Sequence, residues 1–282
     1  MSETKTLRID GKTIAYLDTG KGEPVVMIHG GGPGASGGSN YRRNVSALST
    51  RYRLIIPDLP GYGASDKSKI DGPRYAAYAK AMVGLLDELK IPRAHFIGNS
   101  LGGGAAIKVA LEMPQRVNKL VLMGPAGVVT AYSKVPSEGA RKIFHYYGGD
   151  GPSRAKLKEF LEIMIYDASN LTPALIEERY QASIEPDLLA NPPLGKGGEI
   201  PILEELWRDP RLAKLEHDTL VLWGREDRVN PLYTADILVN QLPNAQLVTF
   251  THCGHWVQWE RAAAFNSIVA AFLAGYESGP PS

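Results

Sequence analysis

The sequence has a single cysteine, Cys253, and no excess of either charge. One cysteine cannot form an intramolecular disulfide, and it excludes a structural zinc site built on several cysteines. Lys and Arg together number 31 against 30 for Asp and Glu, and neither sign gathers into a run. Because nucleic-acid surfaces need clustered basic residues, these counts predict no nucleic-acid partner.

Long apolar runs are also missing. No segment approaches the roughly 18 consecutive apolar residues of a membrane-spanning helix, and residues 1–10 contain no apolar segment typical of a secretory signal. The sequence also shows no metal-ligand cluster and no cofactor motif. We therefore expect a cytoplasmic protein with no membrane partner, no metal and no cofactor, in keeping with the reducing compartment that a lone cysteine suggests.

Short aliphatic runs alternate with helical patterns along most of the 282 residues. Apolar strands separated by helices are typical of βαβ units in a mainly parallel sheet that is covered on both faces. The strand-like runs are residues 5–9, 13–18, 24–29, 52–57, 94–98, 119–123, 219–223 and 246–250, and the helical patterns are residues 75–89, 101–112, 232–241 and 261–273.

Two places depart from this alternation. Asp10-Gly11 lies between the first two runs and predicts an antiparallel hairpin. Residues 127–208 contain amphipathic stretches, at 153–165 and 173–183, and then a segment rich in turn formers at 191–198. We predict an α/β core of residues 1–127 and 209–282, interrupted by a helical cap of residues 128–208.

Residues 98–103, GNSLGG, follow a buried strand run and precede an apolar helical pattern. In this setting G-x-S-x-G forms a nucleophile elbow, a sharp turn that lifts the serine above the sheet edge. Gly98 and Gly102 occupy the two positions where a Cβ would crowd the turn. Ser100 is thus the candidate nucleophile, although 30 glycines make a chance match common and the motif needs partners.

A serine hydroxyl is a weak nucleophile until a base removes its proton, and that base must be oriented by an acid. In this architecture the acid and then the histidine follow the serine in the chain. His252 and His255 both follow the last strand run. We prefer His255, because Gly254 before it allows a close turn, and His252 is otherwise a polar loop residue.

The acid should follow an earlier strand, and Asp227 lies just beyond the seventh run. Glu226 beside it is more typical of a solvated loop charge. The other position where such folds carry the acid, after the sixth run, holds Gly124-Pro125 and no carboxylate. Asp227 is therefore the candidate acid.

Residues 29–34, HGGGPG, follow the third run and are similar to the HGGG-type oxyanion loop. Attack on a carbonyl builds negative charge on oxygen, which backbone N–H groups can stabilise. We assign the two donors to the N–H groups of Gly31 and Leu101. A flexible loop or a phosphate-binding loop is the alternative, although the lysine and the Ser/Thr of a P-loop are missing.

The nucleophile, acid, base and oxyanion loop occur in the order of an α/β-hydrolase, and the chain resembles one from about residue 4 onward. Its finer motifs resemble the meta-cleavage product hydrolases, which are the C–C bond hydrolases of aromatic degradation. They are HGGGPGA at 29–35 with Ser39-Asn40 and Arg43-Asn44, GNSLGG at 98–103, WGRED at 223–227, GHW at 254–256 and QWE at 258–260.

The resemblance implies an eight-stranded, mostly parallel sheet with an antiparallel amino-terminal hairpin and a helical cap. It implies hydrolysis of a 2-hydroxy-6-oxohexa-2,4-dienoate, the 6-phenyl compound being one candidate, to 2-hydroxypenta-2,4-dienoate and a carboxylic acid. The implied partner is thus a small-molecule dienoate, and the implied assembly is a homo-oligomer. The spacing of the motifs leaves the C6 substituent open.

The resemblance also implies four substrate-binding residues. Arg179 matches the family's arginine, which can hold a carboxylate through two hydrogen bonds. Asn40 and Asn99 would hydrogen-bond the dienoate end, and Trp256 would pack against it. Each has an alternative interpretation. Arg179 could be a surface arginine paired with Glu178, and Asn40 could be a turn former. Asn99 could simply fill the elbow, and Trp256 could be a core residue.

Two other functions fit the same fold. A carboxylesterase or related serine hydrolase would use the same elbow, acid and base. A non-catalytic ligand-binding protein could also retain the fold, because fold alone does not establish activity.

Overall fold

Eight β-strands form one mixed sheet at the centre of the fold. The computed structural model describes residues 3–70, 72–128, 136–196 and 204–275. In chain order the strands are β1 (Lys5–Ile9), β2 (Lys12–Thr19), β3 (Glu23–Ile28), β4 (Tyr52–Pro57), β5 (Ala94–Asn99), β6 (Val117–Met123), β7 (Thr219–Gly224) and β8 (Ala245–Phe250). They lie side by side in the order β1-β2-β4-β3-β5-β6-β7-β8. The pairs β1–β2 and β2–β4 are antiparallel and all others are parallel, which confirms the predicted sheet.

The predicted hairpin joins β1 to β2, with Ile9 paired to Lys12. Asp10 and Gly11 both have positive φ, 49° and 78°. A two-residue hairpin of this type needs left-handed backbone at both turn positions, which Asp tolerates and Gly adopts freely.

Helices cover both faces of the sheet, so the central strands are apolar on both sides. Along β3, Val26 and Ile28 belong to one buried cluster, whereas Val25 and Met27 belong to the other. This alternation explains why the strand reads as a continuous apolar run. The helices are α1 (Gly37–Tyr41), α2 (Val45–Leu48), α3 (Arg74–Glu88), α4 (Leu101–Glu112), α5 (Glu138–His145), α6 (Arg154–Met164), α7 (Pro173–Ser183), α8 (Pro186–Ala190), α9 (Tyr233–Gln241), α10 (Val257–Glu260) and α11 (Ala262–Ala274), with 3-10 turns at Pro114–Arg116, Ala168–Asn170, Leu206–Arg208 and Pro210–Lys214.

Between β6 and β7, the described residues form helices and turns and no strand. Helices α6 and α7 match the two predicted amphipathic stretches, and each begins at a hydroxyl cap, Ser153 and Thr172, as helix N-termini prefer. Residues 129–135 and 197–203 of the predicted cap, and with them the end of the turn-rich segment 191–198, lie outside the described residues. No described helix has both the length and the apolar character to cross a membrane.

Helices α5 to α7 contribute to a third buried cluster, separate from the two that flank the sheet. Phe160 and Met164 of α6 and Leu175 of α7 pack there with Val229 and Trp256, which lie beyond the carboxyl ends of β7 and β8. The helices inserted between β6 and β7 therefore rest on the edge of the sheet where parallel strands end, which is where α/β folds hold their ligands.

Candidate active site

The predicted elbow is a strained turn between β5 and α4. Ser100 has φ 51° and ψ −115°, which non-glycine residues rarely adopt. A Cβ on Gly98 would lie 2.4 Å from the Gly102 carbonyl oxygen, and a Cβ on Gly102 would lie 2.2 Å from that of Ile28. The Ser100 N–H donates to the Met123 carbonyl at 2.9 Å, so the neighbouring strand holds the turn.

The predicted acid and base form a buried pair. His255 Nδ1 lies 2.7 Å from Asp227 Oδ2, and each side chain is 1% exposed. The other carboxylate oxygen, Oδ1, accepts the N–H groups of Val229 and Asn230, both at 2.8 Å. Asp227 is thus oriented at both oxygens, and it directs Nε2 of His255 away from itself, as a histidine that accepts a proton at Nε2 requires.

Gly124, directly after β6, lies against this pair. A Cβ there would be 3.1 Å from both Asp227 Oδ2 and His255 Nδ1. The Gly124 carbonyl accepts the Asn230 side-chain amide at 2.7 Å, which connects it to the loop that carries the acid. The absence of a side chain at this position therefore makes room for the acid from the next strand.

Ser100 and His255 line one small cavity between the strand ends and the inserted helices. His255 Nε2 is buried and has no hydrogen-bond partner among the described residues, Ser100 included. Hydrogen bonds between nucleophile and base are often long before substrate binds. The lining residues are Gly30, Gly31, Gly32, Ala35, Asn40, Ser100, Ile143, Phe160, Met164, Arg179, Val229, His255 and Trp256.

Arg179 reaches this cavity from α7 and is 1% exposed, so it is not a surface residue. Its Nε donates to the Pro33 carbonyl at 2.8 Å, its guanidinium lies 5.3 Å from the Trp256 ring centre, and its Nη1 has no described partner. Burial lowers the pKa of Arg179 to about 10, which leaves it charged at neutral pH. Glu178 pairs with Arg42 instead, and no described carboxylate forms an ion pair with Arg179.

Asn40, from α1, is the second predicted substrate contact that lines the cavity. It is buried, and its Nδ2 has no hydrogen-bond partner among the described residues. Buried polar atoms without partners are uncommon. Asn40, Arg179 and His255 each bring one such nitrogen to the same cavity, which provides a donor, a cation and a base for a polar ligand.

Asn99 is the predicted contact that the structure does not bring to this cavity. Its Nδ2 faces the carbonyl oxygens of Met123 and His255, at 3.3 and 3.4 Å, and its Oδ1 accepts from Gln258 at 3.4 Å. The side chain therefore joins the elbow to the loop of the base. This arrangement is closer to the alternative of an elbow filler, and the contact with the dienoate stays a prediction.

Gly31 lines the cavity, and Leu101 begins α4, where the first N–H groups of a helix have no partner within the helix. The two residues are close, since a Cβ on Gly31 would lie 2.9 Å from the Leu101 side chain. The loop also presses against α7: Gly34 has φ 63°, and a Cβ there would lie 2.0 Å from the Arg179 carbonyl oxygen. The glycine run is therefore a tightly packed loop rather than a flexible one.

The chain is similar to several known hydrolases. A family model described as alpha/beta hydrolase fold matches residues 23–262. A 2-hydroxy-6-oxo-6-phenylhexa-2,4-dienoate hydrolase of Burkholderia cepacia is 43% identical over 262 residues, covering 91% of this chain and 90% of the relative. The chain belongs to the meta-cleavage product hydrolases.

Two further members of this hydrolase family are similar over nearly the whole chain. A 2-hydroxy-6-oxononadienedioate/2-hydroxy-6-oxononatrienedioate hydrolase of Comamonas testosteroni is 42% identical, covering 91% of this chain and 90% of the relative. The meta-cleavage product hydrolase of Pseudomonas fluorescens IP01, solved with acetates, has a TM-score of 0.85 and 35% identity, covering 96% of this chain and 97% of that one.

The rest of the cavity of this hydrolase is apolar. Ile143 of α5, Phe160 and Met164 of α6, and Val229 after the acid form its wall. The sequence does not mark these side chains as contacts, because apolar residues in amphipathic helices usually pack in the core. Arg179 and His255 are the only basic side chains among the described residues that line the cavity.

Proposed function

We propose that this meta-cleavage product hydrolase cleaves the C5–C6 bond of 2-hydroxy-6-oxohexa-2,4-dienoates. The products are 2-hydroxypenta-2,4-dienoate and a carboxylic acid. The observation that carries the proposal is the buried, unpaired Arg179, which opens onto the same cavity as Ser100 and His255. A buried charge is costly unless it is paired, so this cation indicates an anionic substrate.

In the proposed reaction the substrate carboxylate pairs with Arg179, and Asn40 donates to the oxygen at the same end, while Trp256 packs against it. The 2-hydroxyl loses its proton and C5 gains one, which converts the dienol to a keto form. This step matters because the electron pair of the C5–C6 bond can then leave as a stabilised enolate.

Ser100 then attacks the C6 carbonyl while His255 Nε2 takes its proton, and Asp227 stabilises the resulting imidazolium. The N–H groups of Gly31 and Leu101 hold the negative oxygen. The C5–C6 bond breaks, and its electron pair moves through the dienolate to the C2 oxygen. That oxygen takes the proton from the His255 imidazolium, which gives 2-hydroxypenta-2,4-dienoate and returns His255 to its neutral form. Water, deprotonated by His255, hydrolyses the acyl-serine and releases the carboxylic acid.

We further propose that the C6 substituent is apolar. Ile143, Phe160, Met164 and Val229 offer no charged or hydrogen-bonding side chain for that end. The named relatives act on substrates of two kinds, a 6-phenyl dienoate and a nonadienedioate with a second carboxylate. A second carboxylate among these side chains would be desolvated without a partner, so the lining favours the phenyl compound.

The test is turnover of three substrates by the wild type and by Ser100→Ala. The wild type should cleave the 6-phenyl dienoate in preference to the dioate and to a simple aryl ester. Ser100→Ala should still bind the dienoate but release the carboxylic acid at least about a thousandfold more slowly. Efficient ester turnover with an inert dienoate would favour a carboxylesterase, and binding without any wild-type turnover would favour a ligand-binding protein.

We also propose the domain boundaries, the cellular compartment and the assembly of this hydrolase. Residues 1–127 and 209–282 would form the hydrolase core and residues 128–208 the cap, which the separate buried cluster of α5 to α7 supports. The enzyme would act in the cytoplasm as a homo-oligomer, without nucleic acid, membrane, metal or cofactor. Light scattering of the purified protein measures the assembly directly.

A further inference from the structure

The oxyanion loop begins with glycines, which have no side chains to fix their own peptide groups. In a trans peptide the carbonyl of one residue and the N–H of the next lie in one plane and point in opposite directions. Whatever holds the Gly30 carbonyl therefore also aims the Gly31 N–H. Because glycine is conformationally permissive, contacts from residues outside the glycine run must fix the orientation of this peptide.

The side chain of His29 fixes the Gly30 carbonyl. Its Nδ1 lies 2.7 Å from the Gly30 carbonyl oxygen, and its Nε2 accepts the Leu59 N–H at 2.9 Å. Since Nε2 must be the acceptor, the ring hydrogen is on Nδ1, which donates to Gly30. Burial lowers the pKa of His29 against the opposing effect of Asp58, which favours this neutral ring. Both nitrogens are occupied, so His29 is no proton carrier.

Tyr62 holds the next peptide of the loop. Its hydroxyl donates to the Gly31 carbonyl oxygen at 3.0 Å, and its ring meets the edge of the His29 ring with centres 5.2 Å apart. Both side chains are buried, at 0% and 2% exposure for His29 and Tyr62. Two consecutive peptides are thus fixed by two side chains that themselves pack together.

We propose that His29 and Tyr62 are positioning residues that aim the Gly31 N–H at the oxygen of the substrate carbonyl. The inference rests on the proposed function, because it takes Gly31 as an oxyanion donor. The competing interpretation is that His29 only satisfies two buried backbone groups. The two interpretations differ in which of the two hydrogen bonds of His29 matters for the reaction rate.

Two substitutions separate those hydrogen bonds. An asparagine amide can replace Nδ1, so His29→Asn keeps a donor to Gly30 and leaves the Leu59 N–H unpaired. A glutamine amide oxygen can replace Nε2, so His29→Gln keeps the Leu59 bond and loses the donor to Gly30. We expect His29→Gln to lower kcat by about tenfold to a hundredfold, with KM for the 6-phenyl dienoate changed by less than about twofold. His29→Asn should remain within about threefold of the wild type.

Single-turnover absorbance adds a readout that a purely structural role would not move. Formation of the keto form precedes the oxyanion, so His29→Gln should leave that phase unchanged and slow only the release of the dienoate. His95→Gln is the matched control, since His95 is a buried histidine on β5 that bonds Glu23 away from the cavity. It should alter the melting temperature without altering kcat.

Equal losses in both His29 variants, in proportion to their melting temperatures, would overturn the inference. So would a wild-type kcat in His29→Gln. If neither variant folds, Tyr62→Phe decides, because it removes one hydroxyl: a kcat lowered by roughly threefold to tenfold supports the inference and an unchanged kcat overturns it. A wild type that does not cleave the dienoate would refute the proposed function instead, and aryl-ester turnover, which forms a similar oxyanion, would still rank the variants.

Discussion

The two sides of the cavity are built differently. On the sheet side, Ser100, Asp227 and His255 follow β5, β7 and β8, and main-chain groups of neighbouring strands and loops fix the serine and the carboxylate. On the opposite side, Arg179 extends from α7 and is anchored by one hydrogen bond to the Pro33 carbonyl and by the Trp256 ring. We therefore propose that residues of the sheet side carry out the chemistry and that the inserted helices recognise the anion.

The two sides are nevertheless joined through the main chain. The His255 N–H donates to the carbonyl of Met164, the last residue of α6, at 2.8 Å. Glu260 accepts the N–H of Gly254 at 2.6 Å with one oxygen and that of Tyr166 at 2.7 Å with the other. The loop of the base and the end of α6 are therefore hydrogen-bonded directly to each other.

The largest expected effect lies on the sheet side. Asp227→Asn should lower kcat by about 10³ to 10⁴, because the amide no longer fixes the His255 tautomer, and it should change KM little. Asp236→Asn, an exposed acid of α9, is the control and should retain wild-type constants. Steady-state kinetics with the 6-phenyl dienoate measures both. If Asp227→Asn raises KM and leaves kcat unchanged, the sheet side serves substrate binding, which contradicts the proposed division of roles.

A smaller effect is expected on the opposite side. Arg179→Gln should lower kcat/KM by roughly tenfold to a hundredfold, as the loss of a charge-assisted hydrogen bond does, and KM should carry most of it. Because the pKa of Arg179 is about 10, KM of the wild type should stay flat from neutral pH to about pH 9.

Arg154→Gln is the matched control for that measurement. Arg154 is an exposed arginine of α6 that pairs with Glu177, so the same substitution there removes a charge from the inserted helices without touching the cavity. It should leave both constants unchanged. If Arg179→Gln lowers kcat at constant KM, Arg179 takes part in the chemical steps. The assignment of chemistry to the sheet side alone is then wrong.

The sheet side could be predicted from the sequence because strand, turn and catalytic residue are contiguous there. Gly98 and Gly102 carry the steric reason for the elbow, and the order of Asp227 and His255 follows the strands. Two of the inserted helices, α6 and α7, were also predicted, but the burial of Arg179 was not, because it depends on the packing of α7 against Pro33, which no local pattern shows. Its role came from the family resemblance, and its burial from the structure.

Other features could not be predicted from the sequence for related reasons. The short helices α1, α2, α5, α8 and α10 span four to eight residues, too few for a periodic pattern to stand out. Ile143 and Phe160 cannot be told from core residues in the sequence, because only the tertiary packing of their helices places them beside a cavity. The predicted role of Asn99 came from the family resemblance, whereas the direction of its side chain is set by hydrogen bonds to the neighbouring loop, which the sequence does not show.

The smallest expected effect lies where the two sides meet. Glu260→Gln keeps one oxygen acceptor but turns an NH₂ group toward a main-chain N–H of either Gly254 or Tyr166. Burial raises the pKa of Glu260, so removing the charge recovers part of the cost, and the net destabilisation should stay near about 1–3 kcal/mol in urea unfolding. Because the residue holds both sides, kcat and KM should each change by about twofold to fivefold. Glu162→Gln, a partly exposed acid of α6 that pairs with Lys158, should change neither constant. An effect of Glu260→Gln on kcat alone would show that Glu260 acts on the base and does not connect the two sides of the cavity.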